Sequence, residues 1–485
     1  MSSPHPDPLP QAGEGYLGWE VVIGMEVHVQ PRTRSKMFCG CAVAPLNAPP
    51  NTYVCEVCAG MPGTLPVINK AAVEACVKTA LALECEIPRH TKFDRKNYMY
   101  PDLPKGYQIS QYDLPMSVNG KLDVGGRRVR IRRVHLEEDT GKLVHAGDSL
   151  HKAWESYVDL NRAGVPLMEI VSEPDLHSAD EARDYSMELQ AVLRAIGASD
   201  AEMEKGQMRA EPNVSVRRAG AEELGVKTEL KNINSFRALH RAIGFEVRRQ
   251  IDLLESGGTV VQETRGWSEA EQRTFAQRTK ELAEDYRYFP EPDLPPLSLD
   301  RRWIDELRAG LPELPGPRRT KLVQQYGLGA SDAALIAADR LLADLIDASV
   351  SAGADALTTA NWLINEPSAR RLAPEHLAEL VKLVSSGQIN RDQGREVLRE
   401  SLETHTAPAT LVSQKGLAQV SDISVLEPIA REVIAANPKA AADFRSGKTG
   451  AIGPLVRDLR ARAPEADSQV ARDLLMKLLS QPLAM

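Results

Sequence analysis

The sequence predicts an α+β protein, with one large mixed domain followed by two all-helical ones. Three observations carry this. Up to about residue 300, stretches with period-two apolar alternation are interleaved with amphipathic stretches of helical period. Phe289 to Pro296, FPEPDLPP, then places four prolines in eight residues, which neither a helix nor a central strand survives. Beyond it, strand signals almost vanish and helical patterns continue toward the end.

Taken in order, Trp19 to Gln30 reads as a strand because Val21, Ile23, Met25, Val27 and Val29 alternate with other residues. Ala71 to Leu83 reads as a helix, and Gly125 to Val134 as a strand entered through a Gly-Gly turn. Val165 to Val171 is an apolar, strand-like run, and Val214 to Arg218 is a further strand. Ala179 to Ile196 is an amphipathic helix ended by Gly197, and Leu239 to Glu255 another ended by Gly257-Gly258. LPELPGP, Leu311 to Pro317, repeats the proline punctuation, and a domain boundary is expected between it and FPEPDLPP. Ser331 to Ala352 and Pro374 to Ser385 then read as helices. The expected limits are a disordered tail at 1–18, a mixed domain at 19–304, a helical domain at 305–410 and a small helical tail domain at 411–485.

Composition sets bounds. The 485 residues suggest about three domains, and 42% hydrophobic with 26% charged residues suits ordinary soluble cores. No apolar run approaches the roughly 18–20 residues that cross a bilayer, and no basic-then-apolar leader is present, so a cytoplasmic protein without a membrane segment is expected. With 59 basic and 67 acidic residues the net charge is −8, which excludes the global charge of a simple nucleic-acid binder. The stretch from Arg431 onward, with nine Lys/Arg against six Asp/Glu, is locally basic.

Several motifs carry chemistry. In Gly24-Met25-Glu26-Val27-His28, Glu26 and His28 are two apart on a strand and share a face. A carboxylate beside an imidazole suits a divalent cation or an acid–base pair, and a solvated strand face would look the same. Cys39-Gly40-Cys41 and Cys55-Glu56-Val57-Cys58 form two close pairs thirteen residues apart, the make-up of a closed structural Zn2+ site; four reduced thiols are the alternative. Cys76 and Cys85 sit in or beside an apolar helix and suit core packing.

Phe93 to Tyr112 combines Asp94, Arg95, Lys96, Asp102 and Lys105 with four tyrosines, the density of an ordered functional loop or of an exposed one. Arg127 to Arg133, with five arginines in seven residues, suits phosphate contact or a solvated edge strand. Glu137-Glu138-Asp139 beside it needs a cation or those arginines for neutralisation. Glu169 lies inside an apolar run, while Glu211 and Glu229 stand among bases. Glu26, His28, Glu138, Glu169, Glu211 and Glu229 together make a plausible cation-holding set for a nucleotide site. Ser446-Gly447-Lys448-Thr449-Gly450 resembles the end of a phosphate loop, but Ala442 stands where that loop needs Gly.

The runs VIGMEVHVQ, KFDRKNYMYPDLPKGYQISQYD, HLEEDTGK, VDLNRAGVPLMEIVSEPD, NVSVR, ELKNINSF, QETRGW, DYRYFPEPDLPPL, LPELP and ANWL resemble the B subunit of aspartyl/glutamyl-tRNA amidotransferases, over nearly the whole chain from Trp19. The resemblance implies that 19–304 is a cradle domain similar in fold to glutamine synthetase and guanidino-kinase catalytic domains, followed by the helical domain and a tail domain that contacts tRNA. It implies an ATP-dependent carbon–nitrogen ligase with glutamine as amido donor. ATP phosphorylates the side-chain carboxylate of Glu-tRNA(Gln) or Asp-tRNA(Asn), and ammonia channelled from a partner A subunit displaces the phosphate. An A and a C subunit complete a heterotrimer. Matched by motif, Glu26, His28, Glu138 and Glu169 would hold Mg2+, Glu211 and Glu229 would serve the nucleotide, and Glu138, Glu169, Lys96 and Lys105 would be catalytic. Lys96 suits phosphate contact and Lys105 suits ammonia handling. Cys39, Cys41, Cys55 and Cys58 would hold the structural zinc. Glu211-Pro212-Asn213 stands where members of the family often have Asp-Ala-Asn, and Gly453 to Asp458 departs from the family's tail motif. Two other classes compete: a non-catalytic tRNA-binding scaffold, and a free-standing ligase for a small carboxylic acid.

Overall fold

The computed structural model describes residues 16, 18–146, 154–279, 283–417, 423–463, 466 and 468–480. Apart from Tyr16 and Gly18, the expected N-terminal tail lies outside the described residues. The chain divides into two compact units, one ending at Arg318 and one beginning at Arg319.

The first unit is built on an eight-stranded sheet. Its elements in chain order begin with β1 (Trp19–Val29), α1 (Lys70–Ala82), β2 (His90–Thr91), β3 (Asp94–Asn97) and β4 (Tyr107–Ser110). Next come β5 (Ser117–Val124), β6 (Arg127–Glu138), β7 (Lys142–Ala146), β8 (Glu155–Asp159), β9 (Pro166–Ser172) and α2 (Ala179–Ala195). Then follow β10 (Met208–Arg218), β11 (Thr228–Lys231), α3 (Phe236–Glu255), β12 (Glu263–Ser268) and β13 (Arg273–Thr279). The unit closes with β14 (Phe289–Pro290), β15 (Leu297–Ser298) and α4 (Arg301–Ala309). The sheet order is β13-β12-β11-β10-β1-β9-β6-β5, antiparallel except for the β11–β12 pair.

The alternation in β1 decides its two faces. Val21, Ile23, Met25, Val27 and Val29 are all buried in one core with apolar residues of α1, α2 and α3. Each such side chain contributes about 1.5–3 kcal/mol on burial. The helices start where polar side chains cap them: Asn69 accepts from Ala71 N, Ser178 from Glu181 N and Ser235 from Ala238 N. With that face covered, the opposite face of the central strands is left for polar groups. The proline-dense segment belongs to this unit too. Phe289 and Pro290 pair with β3, and Arg95 holds the buried Glu291 through two hydrogen bonds of 2.8 and 2.9 Å.

Several elements differ in extent from the sequence reading, and β6 runs on to Glu138; two further differences have a visible cause. Strand β10 begins at Met208, well before Val214, although Pro212 lies within it. Pairing with β11 starts only at Asn213, so Pro212 has no strand partner on that side and its missing N–H is tolerated. The helix expected over Ser331 to Ala352 is two helices, Ala330–Ala338 and Arg340–Ser351. Asp339 breaks it in an extended conformation and caps the second one, accepting from Leu342 N at 3.2 Å.

The second unit is helical throughout its described elements and holds two apolar clusters, one from Leu322 to Val412 and one from Leu426 to Leu479. Ser446 to Gly450 follows the helix Pro438–Arg445 rather than a strand. No helix among the described residues is long and apolar enough to cross a membrane.

Beneath the parallel edge lies one fully buried carboxylate, Glu246 of α3. It accepts from Thr228 of β11 at 2.8 Å, from Thr274 of β13 at 2.9 Å, and from Arg249 at 2.6 and 3.0 Å, with Arg265 of β12 at 3.4 Å. A single group thus joins one helix to three strands. Burial opposes its ionisation, but Arg249, Gln250 and Thr228 hold its carboxyl below the ordinary 4.5. Removing it strands the arginines, and Glu246→Ala is expected to cost about 3–5 kcal/mol in urea denaturation at pH 7. Because the folded pKa is depressed, this stabilisation is present above about pH 4.5 and is lost as the pH falls further. The gap between wild type and variant should therefore narrow in acid, and a gap independent of pH would contradict the ion-pair account.

Candidate active site

Residues paired across antiparallel strands project to the same side, so the registers place the face opposite the helices directly. His135 of β6 pairs with Glu169 of β9, Glu169 with His28 of β1, and His28 with Arg209 of β10. One step along, Glu26 pairs with Glu211, and Asn213 pairs with Glu229 of β11. Counting by two adds Glu137 beyond His135 and Lys231 beyond Glu229. The result is a row of carboxylates, imidazoles and cations across five strands.

At one end of the row His28, Glu137 and Glu169 converge, each offering a ligand atom within 4.8 Å of the others. His28 Nε2 lies 3.7 Å from Glu137 and 3.6 Å from Glu169. Both carboxylates are buried, and Ser110 of β4 donates to Glu137 at 3.1 Å. His135 Nε2 stands 3.2 Å from Glu169. Burial opposes ionisation of Glu169, but His135, His28 and Lys96 hold it well below the usual carboxylate range. Two carboxylates and an imidazole at this spacing suit one divalent cation. Burial likewise works against the charge on Lys96, and Glu137 and Glu169 outweigh it, so its pKa is raised. Its ammonium lies over the Tyr286 ring, 4.7 Å from the centroid.

At the other end Lys231 lies 2.8 Å from Glu211 and 3.9 Å from Glu229, while Asn213 donates to Glu26 at 2.9 Å and Thr264 to Glu229 at 2.8 Å. Burial works against the Glu211 carboxylate, yet Lys231, His28 and Arg209 bring its pKa down to about 2. Asp139, beside the row, is held below the ordinary value against its burial by Arg209 and Arg162, and Gln30 donates to it at 3.2 Å.

Glu138 follows Glu137 in the chain and faces a different neighbourhood. Its Oε1 accepts from Lys105 at 2.5 Å and from the Ile109 backbone N–H at 3.0 Å. Lys105 and Glu138 line a cavity of about 220 Å³ together with Tyr107, Gly164 and the cysteine loop. In that loop the sulfur atoms of Cys39, Cys41, Cys55 and Cys58 lie within 4.8 Å of one another, and Cys55 and Cys58 are 3.9 Å apart. A tetrahedral zinc with Zn–S bonds of about 2.3 Å needs sulfurs roughly 3.8 Å apart, so the cluster is compatible with structural zinc.

Of the residues singled out in the sequence, the structure therefore gathers His28 with Glu169, with Lys96 near them, and Glu26 with Glu211 and Glu229. Glu138 and Lys105 pair with each other outside the three-residue cluster. Glu137, His135, Lys231 and Arg209, which lie in the same motifs but outside the candidate set, complete the row. Counting by two along each strand from His135, Glu229 and Glu211 reaches Glu137, Lys231 and Arg209.

A helix-backed sheet whose other face gathers carboxylates, imidazoles and cations in one row forms the class of site that suits charged ligands. Residues 21–305 match the family described as the GatB/GatE catalytic domain, and 344–479 match the GatB domain. A relative from Thermomicrobium roseum is 50% identical over 96% of this chain and 100% of its own length. One from Carboxydothermus hydrogenoformans is 47% identical over 95% and 99%, and one from Symbiobacterium thermophilum is 48% identical over 96% and 98%. Each of the three is the B subunit of an aspartyl/glutamyl-tRNA(Asn/Gln) amidotransferase. The chain belongs to this amidotransferase B-subunit family.

Binding of Mn2+, followed by its electron paramagnetic resonance signal, tests the cluster. Glu137→Gln and Glu169→Gln are expected to weaken binding about ten-fold or more, and Glu138→Gln to leave it within about two-fold. An equal loss in Glu138→Gln would bring that carboxylate into the cluster.

Proposed function

We propose that this chain activates the side-chain carboxylate of Glu-tRNA(Gln) or Asp-tRNA(Asn) with ATP and converts it to the amide, within a heterotrimer with A and C subunits. The observation that carries this is that the catalytic-domain match, 21–305, contains the whole carboxylate–imidazole–lysine row. A carboxylate does not react with ammonia. Transfer of the γ-phosphoryl group to a carboxylate oxygen gives an acyl phosphate and ADP. Ammonia then attacks the carbonyl carbon, the C–O bond to phosphate breaks, and the nitrogen sheds a proton to leave the amide.

Such a reaction is mostly positioning and charge neutralisation. His28, Glu137 and Glu169 would hold Mg2+, which neutralises charge on the transferring phosphoryl group when bound. Lys96, kept protonated by Glu137 and Glu169, would add positive charge beside them. Glu211 and Glu229, set by Lys231, would serve the nucleotide end, and Glu26 steadies the row through Asn213. Lys105 and Glu138, in the adjoining cavity, suit the handling of ammonia delivered from the glutaminase partner. Zinc at the four cysteines has a structural role. The first domain, taken as 19–304, would share its fold with glutamine synthetase and guanidino-kinase catalytic domains. A helical domain at 305–410 and a basic tail domain at 411–485 follow in the chain, the tail contacting tRNA, in a cytoplasmic enzyme.

Amidation of each misacylated tRNA is measured with the A and C partners, ATP, magnesium and ammonium chloride, which bypasses the glutaminase. Formation of Gln-tRNA(Gln) or Asn-tRNA(Asn) is expected; intact complex that binds tRNA and amidates neither would favour a scaffold. Glu138→Gln is expected to abolish amidation while tRNA binding stays within a few-fold. Stripping zinc with a chelator is expected to lower the melting temperature, and purified protein free of zinc would remove that metal from the account.

A further inference from the structure

Lys36 is fully buried, and neither the charged row nor the ammonia-handling pair uses it. A lysine in such a place needs negative charge and acceptors close by. Its ammonium donates to Cys58 Sγ at 3.4 Å and to the Leu160 carbonyl at 3.2 Å. Four thiolates outnumber the charge of one Zn2+, so the sulfur site would be anionic overall and would supply that charge.

The same residue lies at a junction. Its backbone N–H donates to the Cys41 carbonyl at 2.9 Å, and the next residue, Met37, donates to the Gly164 carbonyl at 2.7 Å. Gly164 has a φ of +81°, and a Cβ there would sit 3.3 Å from Cys58 Cβ, 3.7 Å from Lys36 Cδ and 3.8 Å from Glu138 Oε2. Gly164 N–H in turn donates to the Asp139 carbonyl at 2.9 Å. The sulfur cluster, Lys36, the 160–164 turn and the strand end carrying Glu138 are thus in continuous contact.

We propose that Lys36 is a positioning residue: its ammonium compensates the charge of the zinc thiolates and fastens the metal site to the turn that backs Glu138. This rests on the zinc reading and extends it, since the metal then braces the wall of the adjoining cavity as well as its own loop.

The test uses the full chain co-purified with its A and C partners. Metal analysis of wild type establishes whether zinc is present. Lys36→Met removes both charge and donor, and Lys36→Gln keeps a donor without the charge. Both are expected to release zinc to a chromogenic chelator about ten-fold or more faster than wild type. Release within about two-fold of wild type in both variants would overturn the role of Lys36 and leave the zinc reading intact. Wild type without zinc would overturn both. Should neither variant fold, hydrogen exchange on wild type before and after zinc removal serves instead. Faster exchange at the Gly164 and Met37 amides is expected, and unchanged exchange there would overturn the bracing.

Discussion

The pairing of β1 with its two neighbours is the constraint on which the molecule depends. Strand β1 lies between β9 and β10 near the centre of the sheet, and its odd-numbered residues from Val21 to Val29 fill the core under the helices. Those five apolar side chains fix which face is covered. The register then sets His28 opposite Glu169 and Arg209, and Glu26 opposite Glu211. A slip of one residue would turn Glu26 and His28 into the helix-packed side and five apolar groups outward. The hydrophobic effect along one strand therefore aligns the chemistry of its neighbours, and the cost of moving any one site residue is the cost of moving the core.

Electrostatics then settles which groups stay charged on that face. Carboxylates packed this closely would raise one another's pKa if left alone. Lys96, Lys231, Arg209 and the two histidines interleave with them, so Glu169 and Glu211 stay ionised despite their burial. The support extends through the sheet: Thr228, next to Glu229, is tied from beneath to Glu246, and Thr264 holds Glu229 from the neighbouring strand. Both layers fix side chains through partners on a different element of the fold.

Legibility in the sequence followed the range of the physics. Strand β1 and helix α2 were readable within about a residue because periodicity and caps are local. Four cysteines in two close pairs announced a metal-sized cluster for the same reason. Glu26, His28, Glu169, Glu211 and Glu229 could be suspected as charged residues inside strand patterns, but only pairing between distant strands shows which of them meet. The Glu137-Glu138 pair shows what sequence withheld. The reading favoured Glu138, and the geometry puts Glu137 with His28 and Glu169, because the first residue of the pair has the phase of His135. Strand β10 likewise starts six residues before Val214, and Pro212 within it is tolerated because of where β11 begins to pair.

Glu137 and Glu138 also have a consequence for how the molecule can change. Successive carboxylates at the end of one strand serve separate surroundings, the row on the sheet and the cavity by the cysteine loop, with a single peptide link between them. The backbone there acts as a partition one residue thick. Substitutions on either side meet different neighbours, Ser110 and His28 on one and Lys105 and Ile109 on the other. A one-residue insertion or deletion in β6, by contrast, would exchange the occupants of both compartments at once, so this stretch should tolerate altered side chains far better than altered length.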